Sequence, residues 1–175
     1  MKTKAIRVML ADDHPIVMTG FAMSLAAEGM EVVGQARTPD EAIGLYAECK
    51  PDVVILDIRF GTELTGLDAA QQILKADSHA KVVFLSQFDQ DSLIKETYRI
   101  GAHAFVTKDC DPADLAAAVR QAHAGKLYFP PQIAERLNLS TKTISNTSQS
   151  IKEKLGVERQ AHITRLAVKY GLIEP

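Results

Sequence analysis

The feature that most constrains the fold is an alternation of five short apolar runs with five amphipathic stretches over residues 1–125. The apolar runs predict strands near 6–11, 31–36, 52–57, 81–86 and 104–107. The amphipathic stretches predict helices near 15–28, 39–49, 66–76, 90–100 and 112–124. Strands that alternate with helices form a parallel sheet covered on both faces, and right-handed crossovers make such a sheet doubly wound. We therefore predict an α/β fold with a five-stranded parallel sheet.

Three acidic residues stand at the ends of two of these predicted strands. Asp12 and Asp13 follow the first run, and Asp57 ends the third. The carboxyl ends of parallel strands meet at one crevice, where ligands bind in open α/β sheets. Three carboxylates gathered there repel one another unless a cation neutralises them, and oxygen ligands favour a hard ion such as Mg²⁺. The pattern predicts a magnesium site beside one special aspartate.

Two further polar residues end neighbouring strands. Ser86 ends the fourth run and Lys108 follows the fifth. A hydroxyl and an amine beside three carboxylates and a metal indicate phosphoryl transfer, with Asp57 as the nucleophile. Mg²⁺ and Lys108 would neutralise charge on the phosphoryl oxygens, and Ser86 would donate a hydrogen bond to one of them. Alone, a strand-end Asp is more often a helix or turn cap, and a Lys is more often a solvated charge. The prediction is specific because all of these residues occur together, in this order along the alternating strands.

The charge is divided unevenly along the 175 residues. Residues 1–129 carry 13 Lys and Arg against 18 Asp and Glu, whereas residues 130–175 carry 7 against 4. A basic tail beside an acidic body favours a nucleic-acid partner for the tail, and an ordinary solvated surface is the alternative. Neither a signal peptide nor a long apolar run is evident, and the two cysteines lack metal-ligand spacing, so we expect a cytosolic protein without a membrane partner.

The stretch 126–131 ends the alternating pattern, because its adjacent prolines cannot continue a helix. We predict three units: a domain over 1–125, a linker over 126–131 and a small helical domain over 132–175. Residues 133–145 have the pattern of a helix-turn-helix, with a first helix that ends near Asn138 and a second capped by Ser140. One face of the second helix has side chains suited to base edges and phosphates, Lys142, Ser145, Asn146, Gln149 and Lys152. An amphipathic packing helix is the competing interpretation.

Three segments resemble the receiver domain of bacterial two-component response regulators. They are residues 10–15 (LADDHP), 54–57 (VILD) and 105–109 (FVTKD), and the resemblance covers residues 5–125. It implies a flavodoxin-like (βα)5 fold and transfer of phosphate from a sensor histidine kinase to Asp57. The aspartates 12 and 13 would hold Mg²⁺ with help from the backbone carbonyl of Arg59. Ser86 and Phe105 would be the switch residues, the aromatic ring following the serine hydroxyl inward on phosphorylation.

The DDHP form is similar to the subfamily with a LuxR-type (NarL/FixJ) helix-turn-helix output domain. Thr143 and Ile144, and later residues 154–157 (KLGV), match the recognition helix and its exit in that subfamily, so Thr143 joins the predicted DNA-binding set. This resemblance implies promoter DNA as a partner, a homodimer on phosphorylation, and RNA polymerase as a further partner. Residues near Ser145, Thr147 and Gln149 are neutral where the family often has basic residues and a His.

Two departures from the family affect the expected function. The run 59–66 lacks the usual Met-Pro-Gly turn and is one residue longer, which can alter phosphate lifetime or kinase docking. The output segment lacks the expected first helix and is near the size where independent folding becomes marginal. A natural deletion, an engineered one and a chain that joins two segments across a missing stretch all account for this.

The sequence as a whole predicts a response regulator that controls transcription, not an enzyme that turns over a separate substrate. One rival keeps the receiver as a phosphate sink or protein-interaction switch without DNA binding. A second rival is an aspartyl-phosphate hydrolase of the haloacid dehalogenase type. That class carries an Asp-x-Asp pair after its first strand, whereas here Asp12 and Asp13 are adjacent and the candidate nucleophile follows the third strand.

Overall fold

The structure, a computed structural model, describes residues 4–129 and has ten regular elements in that range. Its strands are β1 (Arg7–Ala11), β2 (Glu31–Ala36), β3 (Val53–Asp57), β4 (Val82–Ser86) and β5 (Ala104–Thr107). Its helices are α1 (Pro15–Ala27), α2 (Pro39–Cys49), α3 (Gly66–Ala76), α4 (Asp91–Ile100) and α5 (Pro112–His123). The predicted α/β fold is confirmed, and each predicted element lies within one residue of the observed bounds.

All five strands pair in parallel in the order β2-β1-β3-β4-β5. The three central strands are buried on both faces, which explains why they are apolar without interruption. Alternate residues of each strand point to opposite faces, so two separate hydrophobic clusters form. One cluster contains the buried residues of α2, α3 and α4, and the other contains those of α1 and α5.

Local sequence signals explain where several helices begin and end. Pro15 and Pro112 occupy first-turn positions, and Asp111 is the N-cap residue of α5. Gly29 and Gly101 follow or cap the ends of α1 and α4 with φ of 78° and 100°, a left-handed conformation that glycine adopts without strain. These residues mark where α1, α4 and α5 begin or end.

The strand order reverses between β1 and β3, so their carboxyl ends flank the topological switch point of the sheet. Helices on opposite faces diverge at such a point and leave a crevice outside the strand ends. Asp12 directly follows β1 and Asp57 ends β3. The fold therefore brings the acidic residues of the sequence to the place where this architecture binds ligands.

The chain after α5 returns to the sheet instead of leaving it. Tyr128 forms a parallel bridge with Ala104 of β5, and Leu127 and Phe129 are 8% and 6% exposed. The first part of the predicted linker is thus packed on the α/β body. The predicted helix-turn-helix segment, residues 132–175, lies outside the described residues. Within residues 4–129, every helix is too short or too polar to cross a membrane.

Candidate functional site

Three carboxylates converge at the switch point. Asp12 and Asp57 are only 3% and 2% exposed, whereas Asp13 is half-buried at the mouth of the crevice. One carboxylate oxygen of each of them lies within 4.8 Å of the others and of a ring nitrogen of His14. Buried carboxylates this close need compensation, because desolvation and mutual repulsion both disfavour their charged forms.

Lys108 supplies one part of that compensation. Its Nζ lies 2.7 Å from Oδ2 of Asp12 and 2.6 Å from Oδ2 of Asp57. Lys108 follows β5, two strands away from β3, and its side chain is 14% exposed. The ammonium group therefore bridges two buried carboxylates. Removal of either partner would leave an uncompensated charge in the interior.

Lys108 opposes the effect of burial on Asp57 and is itself held in its charged form. Burial raises the pKa of Asp57 above its ordinary value, and the hydrogen bond and positive charge of Lys108 act against that rise. Burial alone would lower the pKa of Lys108, but its hydrogen bonds with Asp12 and Asp57 raise it. Lys108 consequently stays positively charged at neutral pH beside its two partners.

Backbone amides supply a further part of the compensation. The amide of His14 donates to Oδ1 of Asp12 at 2.8 Å, and the amide of Arg59 donates to Oδ1 of Asp57 at 3.2 Å. His14 also places Nδ1 2.7 Å from Oδ1 of Asp13. The position of His14 at the N-cap of α1 agrees with its interpretation as part of the Asp-His-Pro turn.

The loop between β3 and α3 borders the pocket, as expected from the unusual run 59–66. The amide of Gly61 donates to Oδ2 of Asp13 at 3.0 Å, a contact that the sequence did not reveal. Gly66 begins α3 so close to β3 that a Cβ atom there would overlap the carbonyl oxygen of Asp57. Only glycine fits this approach without displacement of the strand end.

Ser86 ends β4 and is 1% exposed. Its carbonyl accepts the amide of Lys108 at 2.9 Å, and its Oγ accepts the amide of Phe88 at 3.1 Å. Leu85, its neighbour, is in register with Asp57 of β3. Ser86 is thus joined to the pocket through the backbone of Lys108, on the strand next to the candidate nucleophile.

An aromatic residue that the sequence did not single out lies above this region. Phe88 is 44% exposed, and the guanidinium carbon of Arg59 is 4.9 Å from the centre of its ring. This cation–π contact joins the loop after β3 to the loop after β4. The spacing of the residues offers no signal for it, because the two loops are brought together only by the sheet.

Phe105, the predicted aromatic switch residue, is fully buried in β5. It is in register with Phe84 of β4 and belongs to the cluster that contains α4. The structure thus brings Asp12, Asp13, Asp57 and Lys108 into one site, with Ser86 beside it and Phe105 in the core. The predicted DNA-binding residues lie outside the described part of the chain.

Comparison with known proteins covers both parts of the sequence. Residues 8–120 match the family of response regulator receiver domains, and residues 131–167 match the bacterial regulatory proteins of the luxR family.

Similar curated proteins include the response regulator GacA of Pseudomonas aeruginosa, 28% identical over 97% of this chain and 98% of that protein. The transcriptional regulatory protein YxjL of Bacillus subtilis is 33% identical over 95% of this chain and 71% of that protein. The alignment with GacA extends over 211 residues, more than the 175 of this chain, so the relative contains residues that this chain lacks.

A solved structure gives the same result for the fold. A two-component response regulator of the LuxR family from Aurantimonas sp. SI85-9A1 superposes with a TM-score of 0.73 and 32% identity, over 77% of this chain and 96% of that one.

Proposed function

Because this chain belongs to the response regulators, with a receiver domain followed by a LuxR-type DNA-binding domain, we propose that Asp57 accepts a phosphoryl group from a sensor histidine kinase. One observation carries the proposal. A buried aspartate at the switch point has a lysine ammonium 2.6 Å from one carboxylate oxygen and a backbone amide 3.2 Å from the other. Both contacts favour the ionised carboxylate against the effect of burial and orient it, as a nucleophile requires.

The reaction needs little from the protein beyond position and charge. A carboxylate oxygen of Asp57 attacks the phosphorus of the donor phosphohistidine, the P–O bond forms as the P–N bond breaks, and the imidazole leaves. Lys108 has two carboxylate partners in the free pocket and turns its ammonium to the oxygens of the transferred group, where negative charge collects. Ser86 donates its hydroxyl hydrogen to one of those oxygens.

The donor set fits a hard divalent cation. Three carboxylates offer oxygen atoms within one 4.8 Å cluster, and oxygen-rich sites of this kind suit Mg²⁺. Asp12, Asp13 and Asp57 would hold it, with the backbone carbonyl of Arg59 as a further ligand. When bound, Mg²⁺ neutralises charge on the phosphoryl oxygens.

The consequence of phosphorylation is a change in DNA binding. We infer that the phosphorylated chain dimerises and binds promoter DNA in the cytoplasm, where RNA polymerase is a further partner, since paired half-sites suit a helix-turn-helix. Lys142, Thr143, Ser145, Asn146, Gln149 and Lys152 are the proposed contacts. The proposed units remain 1–125, 126–131 and 132–175, with the receiver acting on itself alone and not on a separate substrate.

Intact mass spectrometry tests the chemistry. Incubation with acetyl phosphate and Mg²⁺ should add one phosphoryl group to the wild type and none to Asp57→Asn. An unmodified wild type, or equal addition to both proteins, would contradict the assignment of Asp57. Circular dichroism of the Asn variant controls for its fold.

DNA binding is tested separately, by titration of duplex DNA at several salt concentrations. The logarithm of the binding constant should fall linearly with the logarithm of the salt concentration, and each lysine that contacts a phosphate should add about one to the size of that slope. Lys142→Ala and Lys152→Ala should therefore each reduce the slope by about one. A phosphorylated chain with no salt-dependent affinity for DNA would favour the phosphate-sink function instead.

A further inference from the structure

The segment 127–129 completes the free edge of the sheet. The amide of Tyr128 donates to the carbonyl of His103 at 2.8 Å, and the amide of Phe105 donates to the carbonyl of Tyr128 at 3.3 Å. Leu127 and Phe129 pack into one hydrophobic cluster, whereas Tyr128 packs against the other. This alternation is that of a β-strand, so β5 has a partner on both sides over its first residues.

The sequence between α5 and this segment guides the chain back to the sheet. Gly125 has φ of 72°, its amide donates to Ala122, and the amide of Lys126 donates to Gln121. This pair of bonds is the Schellman arrangement, which ends a helix and reverses the chain. Pro130 and Pro131 follow directly in the sequence and carry no amide hydrogen, so neither can donate a backbone hydrogen bond to β5.

The strand β5 connects this segment with the acidic pocket. Lys108, which follows β5, binds Asp57 through Nζ and Ser86 through its backbone amide. Phe105, near the start of β5, donates its amide to Tyr128. Lys108 is four residue steps from Ala104, a span of about 13 Å at about 3.3 Å per residue. A displacement of Lys108 therefore acts on the bridge through one short strand.

The packing provides a second connection. The ring of Phe129 meets that of Tyr98 on α4 with centres 6.0 Å apart and planes at 64°. Phe105, Phe129 and the α4 residue Ile94 belong to the same buried cluster. Because Phe105 is fully buried in this cluster, a movement of its ring would disturb the side chains packed there. The elements that would respond are β5 itself and the side chains packed around it.

We propose that residues 127–129 are a detachable docking strand, held on β5 in the unphosphorylated chain and loosened by phosphorylation. This inference rests on the proposed function of Asp57. When Lys108 turns from its carboxylate partners to the phosphoryl oxygens, β5 shifts, and the 3.3 Å bond from Phe105 to Tyr128 breaks first. A single bridge opens more easily than a ladder, so the switch passes to the residues that follow Phe129.

The test compares amide hydrogen exchange of Phe105 and Tyr128, measured by NMR on the full chain, with and without beryllium fluoride and Mg²⁺. Both amides should exchange at least about fivefold faster with the phosphoryl mimic, the usual scale of coupling between two sites. Asp57→Asn should show no change. Acetyl phosphate and intact mass are measured on the same preparation.

The outcomes separate the two proposals. If the wild type gains a phosphoryl group but the two amides exchange at the same rate or more slowly, the docking strand is refuted and the function of Asp57 stands. If the wild type gains no phosphoryl group, both proposals fail.

A variant adds a reciprocal test. Because docking and phosphorylation oppose each other, Phe129→Ala should lower the beryllium fluoride concentration needed for half saturation by the same factor of about five or more. Met30→Ala is the matched control, since Met30 is also 6% exposed but lies beside β2 at the opposite edge of the sheet. Equal affinity in Phe129→Ala and the wild type would overturn the coupling. The exchange measurement on the wild type decides the question if Phe129→Ala does not fold.

Discussion

The close approach of α3 to β3 leads to a prediction with an internal control. In Gly66→Ala, the new Cβ atom would overlap the carbonyl oxygen of Asp57 and lie 2.8 Å from the carbonyl carbon and 3.1 Å from Cα of Ile58. All three are main-chain atoms, so no side-chain rotation relieves the contact. Gly44→Ala is the matched change, because Gly44 lies inside α2 with nothing within 4 Å of its Cβ position.

The two substitutions should change the free energy of unfolding in opposite directions. Overpacking of this kind costs about 1–3 kcal/mol. The bond from the amide of Gly66 to the carbonyl of Ile58, 3.0 Å long, adds about 1 kcal/mol if it is lost. The better helix propensity of Ala returns less than about 1 kcal/mol. We expect Gly66→Ala to lose about 2 kcal/mol or more, whereas Gly44→Ala should gain up to about 1 kcal/mol from the same propensity.

Urea unfolding of the full chain, followed by far-UV circular dichroism, measures both changes. The structure also predicts an effect at the pocket, because displacement of the Asp57 carbonyl moves the nucleophile. Gly66→Ala should therefore react more slowly with acetyl phosphate under conditions where it is folded, and Gly44→Ala should react at the wild-type rate. A Gly66→Ala protein as stable and as reactive as the wild type would refute the reasoning.

Three further predictions concern contacts outside the cluster of carboxylates and Lys108. The hydroxyl of Tyr46 donates a hydrogen bond to Asp77 at 2.8 Å. Burial raises the pKa of Asp77, but this hydrogen bond and nearby positive charges lower it below its ordinary value. Urea unfolding of Tyr46→Phe should thus show a loss of about 1–2 kcal/mol at pH 7 that disappears as the pH falls below about 4 and Asp77 is protonated. Thr65→Ala removes the capping box with Asp68 at the start of α3 and should cost about 1 kcal/mol by thermal or urea unfolding; equal stability would contradict that role. Burial raises the pKa of Cys110 to about 11, so peptide mapping after iodoacetamide treatment at pH 8 should show alkylation about a hundredfold slower than that of a free thiol.

The sequence predicted the sheet and most of the pocket because both depend on patterns that local residues carry. Runs buried on both faces are apolar without interruption, and polar residues at their ends converge once the strands are parallel. Asp12, Asp57, Ser86 and Lys108 were found in this way, although they are far apart in the chain.

Two features were not predicted from the sequence. The contact between Arg59 and Phe88 forms between loops that no periodicity connects. The docking strand was assigned to a linker because two prolines follow it, and punctuation outweighed the apolar character of Leu127 and Phe129. That apolar character was the available signal, since a solvent-exposed linker has no reason to carry two large apolar residues spaced for one face of a strand.

The altered loop 59–66 raised the question of whether the pocket is still built as in its relatives. Each of the three carboxylates accepts a hydrogen bond from a backbone amide. The amide of His14 donates to Asp12, that of Arg59 to Asp57 and that of Gly61 to Asp13. Two of these donors belong to the altered loop, yet amides are present whatever the side chains are. The hydrogen bonds therefore depend on the backbone conformation of the loop, and the close contact of Gly66 with β3 fixes where the loop ends. The unusual side chains therefore leave the support of the charges intact and change what lies at the rim, where Arg59 meets Phe88.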